Sequence, residues 1–167
     1  MALTSVIHLK KALPYQDADL YLGKLLNEIP WNAPNGFFHR HFFRYDRDFY
    51  VMSLEVPYLV TMEKLCTAIE NSTKRLVSGV FCNYYQDGEA YTPYHADQYG
   101  KDIATLSLGT TRDFYFKHNK TGVRTHYLLE HGDLFYFPPT INNEYKHTVP
   151  IRKKCKDPRI SLVFFLE

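Results

Sequence analysis

Beyond Asn71 the hydrophobic period of this chain changes. The runs RLVSGVFCNYY, IATLSLG, RDFYFKH, THYLLE, DLFYF and RISLVFFL are short and rich in Val, Ile, Leu and aromatic residues. DG, YG, NKTG, HGD and PPTINN punctuate them. Such junctions favour tight bends, so each run is long enough for one strand and too short for a buried helix. At least six short strands must hide their apolar faces against one another. The predicted fold is therefore mostly β, a sandwich or jelly roll.

Before that point the spacing is helical. In PYQDADLYLGKLLNEIPW, residues Leu20, Leu22, Leu25, Leu26 and Ile29 predict one apolar stripe, with Asp17 and Asp19 near the positive helix end and Pro30 as the stop. A second helix is predicted from Pro57, burying Leu59, Met62, Leu65, Cys66 and Ile69. VIHLKKAL reads as an opening strand, whereas FFHRHFFRYDRDFYVM mixes aromatic and basic residues without a clear period. The 167 residues contain no internal repeat and no linker longer than a loop, so one domain spanning 1–167 is expected. Within it, 1–76 is read as helical buttress and short substrate lid, and 77–167 as the core.

The three cysteines form no C-x-x-C pair, which fits a reducing, intracellular compartment, nuclear or cytoplasmic. There is no signal segment and no apolar run of membrane-spanning length, so no membrane partner is expected. A net charge of +2 neither demands nor excludes nucleic acid. The cations are uneven, however: Lys146, Arg152, Lys153, Lys154, Lys156 and Arg159 are opposed locally by Asp157 alone. Such a run is either a solvated loop or a phosphate contact.

YTPYHADQYG places His95 and Asp97 one residue apart. In an extended segment the two share a face and can offer an imidazole nitrogen and a carboxylate oxygen to one metal. His118, His126, His131 and His147 are candidates for a third ligand. Two His and one carboxylate leave coordination positions open, as in non-haem Fe(II) oxygenases. Alone, H-x-D is weak evidence for a metal, and an ordinary polar turn is its commoner explanation.

The ordered set NYYQDGEAYTPYHADQ, SLGTTRDFYFKH, LLEHGDLFYF, YKHTVP and PRISLVFF resembles the AlkB family of Fe(II)- and 2-oxoglutarate-dependent dioxygenases, and most closely its animal DNA-repair members. The likeness runs from about Val77 to the C-terminus. It implies a double-stranded β-helix (jelly roll) core buttressed by the two helices. It also implies Fe(II) on His95, Asp97 and His147, and 2-oxoglutarate on Asn83, Tyr85 and Arg159, with O2 as co-substrate. The implied reaction couples cofactor decarboxylation to hydroxylation of a methyl carbon on a base nitrogen, releasing formaldehyde. The expected partner is alkylated DNA or RNA, with no obligate protein partner evident. By the same likeness Arg112, Asp113 and Phe114 belong to a pocket wall near the base, and Lys153 and Lys154 are candidate phosphate contacts. His131 falls in a hairpin turn rather than at the iron.

Two departures stand out. Where the family carries a second arginine on its last strand, six positions after Arg159, this chain has Phe165, which cannot donate a hydrogen bond. Either another basic residue compensates, or the cofactor binds more weakly, or activity is altered. The front of the chain is also short for a nucleotide-recognition lid, which favours single-stranded or otherwise accessible substrates. Phe37, Phe38, His39, His41, Phe42 and Phe43 offer rings to a base and Arg40 and Arg44 offer charge to phosphate, or they pack helices on the sheet. The competing functions are an oxygenase of a protein side chain or small molecule, and a non-catalytic AlkB-like binding module.

Overall fold

The computed structural model describes residues 2–31, 40–47 and 59–167. Pro57 and the residues from Phe37 to His39 lie outside them. Two antiparallel sheets face each other. The larger runs β1 (Ile7–Leu9), β8 (Leu134–Phe137), β5 (Asp102–Gly109), β10 (Arg159–Leu166), β3 (Val77–Tyr85) and β2 (His41–Asp46) in that spatial order. The smaller runs β4 (Thr92–His95), β9 (Tyr145–Val149), β6 (Arg112–His118) and β7 (Arg124–Leu129). This is the jelly-roll arrangement expected from the strand runs. The six predicted runs become β3, β5, β6, β7, β8 and β10. The aromatic-basic segment supplies β2, so residues before Val77 contribute two strands to the large sheet as well as both helices.

Alternation along the strands divides the core in two. On the outer face of the large sheet Tyr45, Val80, Cys82, Leu106, Leu162 and Phe164 meet helices α1 (Tyr15–Glu28) and α2 (Val60–Thr73). On the inner face Tyr85, Ile103 and Phe135 meet Phe114, Phe116 and Leu129 from the small sheet. The last strand, β10, is central, pairing with β3 through Arg159↔Tyr85 and with β5 through Arg159↔Gly109. Arg47 clamps α2 to the sheet, donating to Glu63 and Glu70 and to the Val77 carbonyl.

The stripe of α1 differs from its prediction at one end. Leu25 and Ile29 are buried, but Leu20 is 54% exposed, and Ala18 takes the buried place. Positions 18, 22, 25 and 29 follow a helical face, whereas residue 20 is two positions from 18 and therefore turned away. Leucine's hydrophobicity does not override that geometry. Helix α2 buries Met62, Leu65, Cys66 and Ile69 as predicted.

The EHGD turn is tied into the N-terminal arm. Asp133, fully buried, accepts hydrogen bonds from the backbone N–H groups of Lys11 (2.9 Å) and Glu130 (3.0 Å), and His8 Nε2 lies 2.8 Å from it. Gly132 adopts φ +85°, and a Cβ there would stand 2.5 Å from the Leu13 carbonyl, so glycine is required on both counts. Burial opposes ionisation of Asp133, but the donated N–H groups and His8 override it and hold the carboxyl below its ordinary 3.8. A group depressed in this way stabilises the fold above its unfolded pKa and loses that contribution as pH falls. Asp133→Ala is expected to cost about 2 kcal/mol at pH 7, because two partly buried N–H groups lose a charged acceptor. Urea denaturation of both proteins at pH 7 and at pH 3 checks this: their difference should shrink at the lower pH.

Candidate metal and cofactor site

His95 closes β4 and His147 sits in β9 directly opposite, with ring centroids 4.3 Å apart. Asp97 follows in the loop beyond β4. Its Oδ1 lies 3.4 Å from His95 Nε2 and its Oδ2 3.4 Å from His147 Nε2. One ligand atom from each of the three residues falls within 4.8 Å of the others, a spacing that a single metal ion can occupy. Among the described residues this is the one such grouping of His, Cys, Asp or Glu.

The surroundings suit ligation. His95 Nδ1 is 2.8 Å from the Pro93 carbonyl, which makes Nδ1 the protonated nitrogen and leaves the Nε2 lone pair toward Asp97. The Asp97 N–H donates to Asn142 Oδ1 at 3.1 Å, pinning the loop to the short helix α3 (Ile141–Glu144). His147 is buried with its ring stacked on Phe114 at 5.3 Å. Burial pushes its pKa down to about 4, so the imidazole is neutral and its lone pair available at neutral pH. Burial opposes ionisation of Asp97, yet the two histidines hold it below the usual carboxylate range.

A cavity of about 370 Å³ between the sheets contains this triad and continues to Asn83, Tyr85 and Arg159. The inner-face alternation of β3 and β10 puts them there: Phe81, Asn83 and Tyr85 from one strand, Arg159, Ser161 and Val163 from the other. Arg159 is 1% exposed. Its Nη2 donates to Ser107 Oγ at 2.9 Å and its guanidinium lies 5.3 Å from the centre of the Tyr85 ring. Its Nε and Nη1, and Asn83 Oδ1, are buried without hydrogen-bond partners among the described residues. Burial lowers the Arg159 pKa to about 10, which still leaves the group charged. A buried cation that Ser107 and Tyr85 answer only in part is costly, and its two spare donors fit an anionic guest. A carboxylate accepts charge-assisted hydrogen bonds from such donors. The donor set therefore fits a metal at one end of the cavity and a carboxylate at the other.

The other predicted site residues fall elsewhere. Of Arg112, Asp113 and Phe114, only Phe114 lines the cavity. Arg112 is fully buried behind Tyr85, donating to the carbonyls of Asp87, Ala90 and Pro150 at 3.2, 2.7 and 2.7 Å. Strand alternation turns Asp113 to the opposite face, where it meets His126 at 2.8 Å and Arg152 at 3.6 Å. The pocket-wall expectation for Arg112 and Asp113 is thus corrected. Lys153 and Lys154 are exposed on the loop before β10. Phe43 is buried in the helix-side core and Phe42 stacks on Phe81 at 6.0 Å. His131 Nδ1 accepts the Gly109 N–H, and His118 and His126 lie away from the triad. Ser107 and Asn142, which hold Arg159 and Asp97, carry no motif that would have singled them out.

A family model described as the 2OG-Fe(II) oxygenase superfamily matches residues 44–164, and the chain belongs to that superfamily, a class of dioxygenases that use Fe(II), 2-oxoglutarate and O2. Its relatives place it among the AlkB-like members. Mouse DNA oxidative demethylase ALKBH2 is 31% identical over 65% of this chain and 51% of its own length. Mouse alpha-ketoglutarate-dependent dioxygenase alkB homolog 3 is 26% identical over 89% of this chain and 61% of its own. The chain thus spans about half to three-fifths of these relatives. In fold, it matches the solved structure of OsALKBH1 with a TM-score of 0.74, at 16% identity and 99% coverage of both chains. A Pseudomonas putida prolyl-4-hydroxylase follows at 0.61, with 17% identity over 98% of this chain and 92% of that one.

Outer-shell changes at metal sites typically cost 10–100-fold in affinity, so Asp97→Ala, which removes a ligand, should cost about 100-fold or more, and Asn142→Ala about tenfold. Anaerobic Mn(II) titration of each variant, with circular dichroism to verify folding, measures both. Unchanged affinity in D97A would place the metal elsewhere.

Proposed function

We propose that the protein oxidatively demethylates alkylated nucleobases in DNA or RNA. In this reading His95, Asp97 and His147 hold Fe(II), and Asn83, Tyr85 and Arg159 hold 2-oxoglutarate. The observation that carries it is the cavity itself: three metal-ligating atoms at one end, a buried and partly unpartnered guanidinium at the other. ALKBH2 is a DNA oxidative demethylase by name, and that similarity supports the nucleobase as substrate. When bound, Fe(II) and 2-oxoglutarate would activate O2, the oxidant, to hydroxylate the N-methyl carbon, whose hydroxymethyl group then leaves as formaldehyde.

The protein's share is position and polarity. Arg159 takes the distal carboxylate bidentately, with Ser107 holding the fork from behind. His147 stays neutral because it is buried, and the Pro93 carbonyl orients His95. Phe114, Leu129, Phe137 and Val149 wall the cavity and limit water near the reacting carbon. Exposed Gln98 and Tyr99 mark its open end, where a base would enter. A base in a duplex must leave the stack to reach it, whereas a single strand avoids part of that cost.

The test is mass spectrometry of methylated DNA, RNA and nucleosides after incubation with Fe(II), 2-oxoglutarate and O2, with His95→Ala as control. The expected result is loss of one methylene mass per methyl group, abolished in H95A. No loss across the panel, with cofactor binding intact, would favour a protein or small-molecule substrate. If Lys153 and Lys154 contact phosphate, changing both to Ala should weaken oligonucleotide binding at every sequence and reduce the log–log salt slope by about 2.

A further inference from the structure

2-Oxoglutarate carries a carboxylate at each end, and in the reading proposed above Arg159 takes the one far from the metal. The position of the second family arginine is closed to that role. Phe165 is 7% exposed, and its ring packs edge-on against Tyr99 with centroids 4.7 Å apart. It stands over Gly79, where even a Cβ would come within 3.6 Å of it. This corner is an aromatic contact beside the cavity.

A second cation nevertheless enters the cavity from a different strand. Arg40 immediately precedes β2, whose register is His41↔Tyr84 and Phe42↔Asn83. Directly opposed residues share a face, so Phe42 lies with Asn83 on the inner side, and alternation brings Arg40 to that side too. Its side chain lines the cavity together with the triad, Asn83 and Arg159, and its Nε is shielded from solvent. Among the described residues, Arg40 and Arg159 are the two cationic side chains that do so. Arg40 shares the cavity wall with His95, Asp97, Gln98 and Tyr99.

We infer that Arg40 replaces the missing arginine of the last strand and binds the keto-acid carboxylate of 2-oxoglutarate at the metal end of the cavity. The inference rests on the cofactor assignment made above. A guanidinium fits because it stays charged and offers several donors to a carboxylate. The function lost at Phe165 is carried by a residue two strands away, just before β2 rather than on β10. Phe165 is then free to pack on Tyr99, and the pair forms a wall in place of an ion pair.

The experiment is anaerobic calorimetry on the Mn(II)-loaded full chain with two probes. 2-Oxoglutarate has both ends; oxalate has the chelating end and no distal carboxylate. Arg40→Met should weaken both probes at least tenfold while Mn(II) affinity stays within about twofold. Arg159→Met should weaken 2-oxoglutarate and leave oxalate unchanged. Thermal melts by circular dichroism verify folding. Arg40→Lys, which keeps charge without the fork, should weaken both probes at least threefold and serves if R40M does not fold. Unchanged binding of both probes in a folded Arg40 variant, with R159M weakened, overturns the inference and leaves the cofactor site standing. A variant that instead loses affinity only for a methylated oligonucleotide also overturns it and assigns Arg40 to the substrate. Unchanged 2-oxoglutarate binding in R159M overturns the cofactor assignment and the inference with it.

Discussion

The guanidinium of Arg159 belongs to the central strand of the large sheet, almost wholly out of water and, among the described residues, without a carboxylate paired to it. Removing such a charge from water costs several kcal/mol unless something returns the interaction. Within the protein, part of the return comes from Ser107 Oγ and the Tyr85 ring. Two N–H donors remain and share a cavity with the triad. The sheet is built to hold this charge. β10 lies between β5 and β3, so Ser107 reaches Arg159 from one neighbouring strand and Tyr85 from the other.

Arg112 shows what a purely structural arginine looks like in the same protein. It is equally buried, yet three backbone carbonyls accept its hydrogen bonds and join the loops after β3 and β9 to β6. It stands behind Tyr85, on whose ring both guanidinium groups rest at 5.3 Å. Arg112 is left with Nε alone unpartnered, whereas Arg159 keeps both Nε and Nη1 and lines the cavity. That difference distinguishes a scaffold cation from a binding cation more sharply than burial does.

Much of this architecture was legible in the sequence because strand period, turn chemistry and metal-ligand types are local properties. The runs after Asn71 read correctly as strands, and His95 and Asp97 announced themselves by spacing. His147 could be paired with them only through the family likeness, since cross-strand register is a long-range fact. The RDF residues misled in part. Their motif was visible, but which face of β6 points inward is set by pairing with β7 and β9, and that turns Asp113 outward. Leu20 misled because a leucine near a helical stripe is not necessarily on it. Ser107, Asn142 and the cavity-facing position of Arg40 depend on neighbours far away in the chain, and no local pattern marks them.

The central claim is that one cavity binds a metal and a dicarboxylate end to end. A crystal structure of the protein with Mn(II) and 2-oxoglutarate, grown without oxygen, tests it most directly. The account predicts metal density bounded by His95 Nε2, an Asp97 carboxylate oxygen and His147 Nε2, with the distal carboxylate of 2-oxoglutarate on the Arg159 fork. Metal bound away from these three residues, or a cofactor whose distal carboxylate leaves Arg159 untouched, would contradict it.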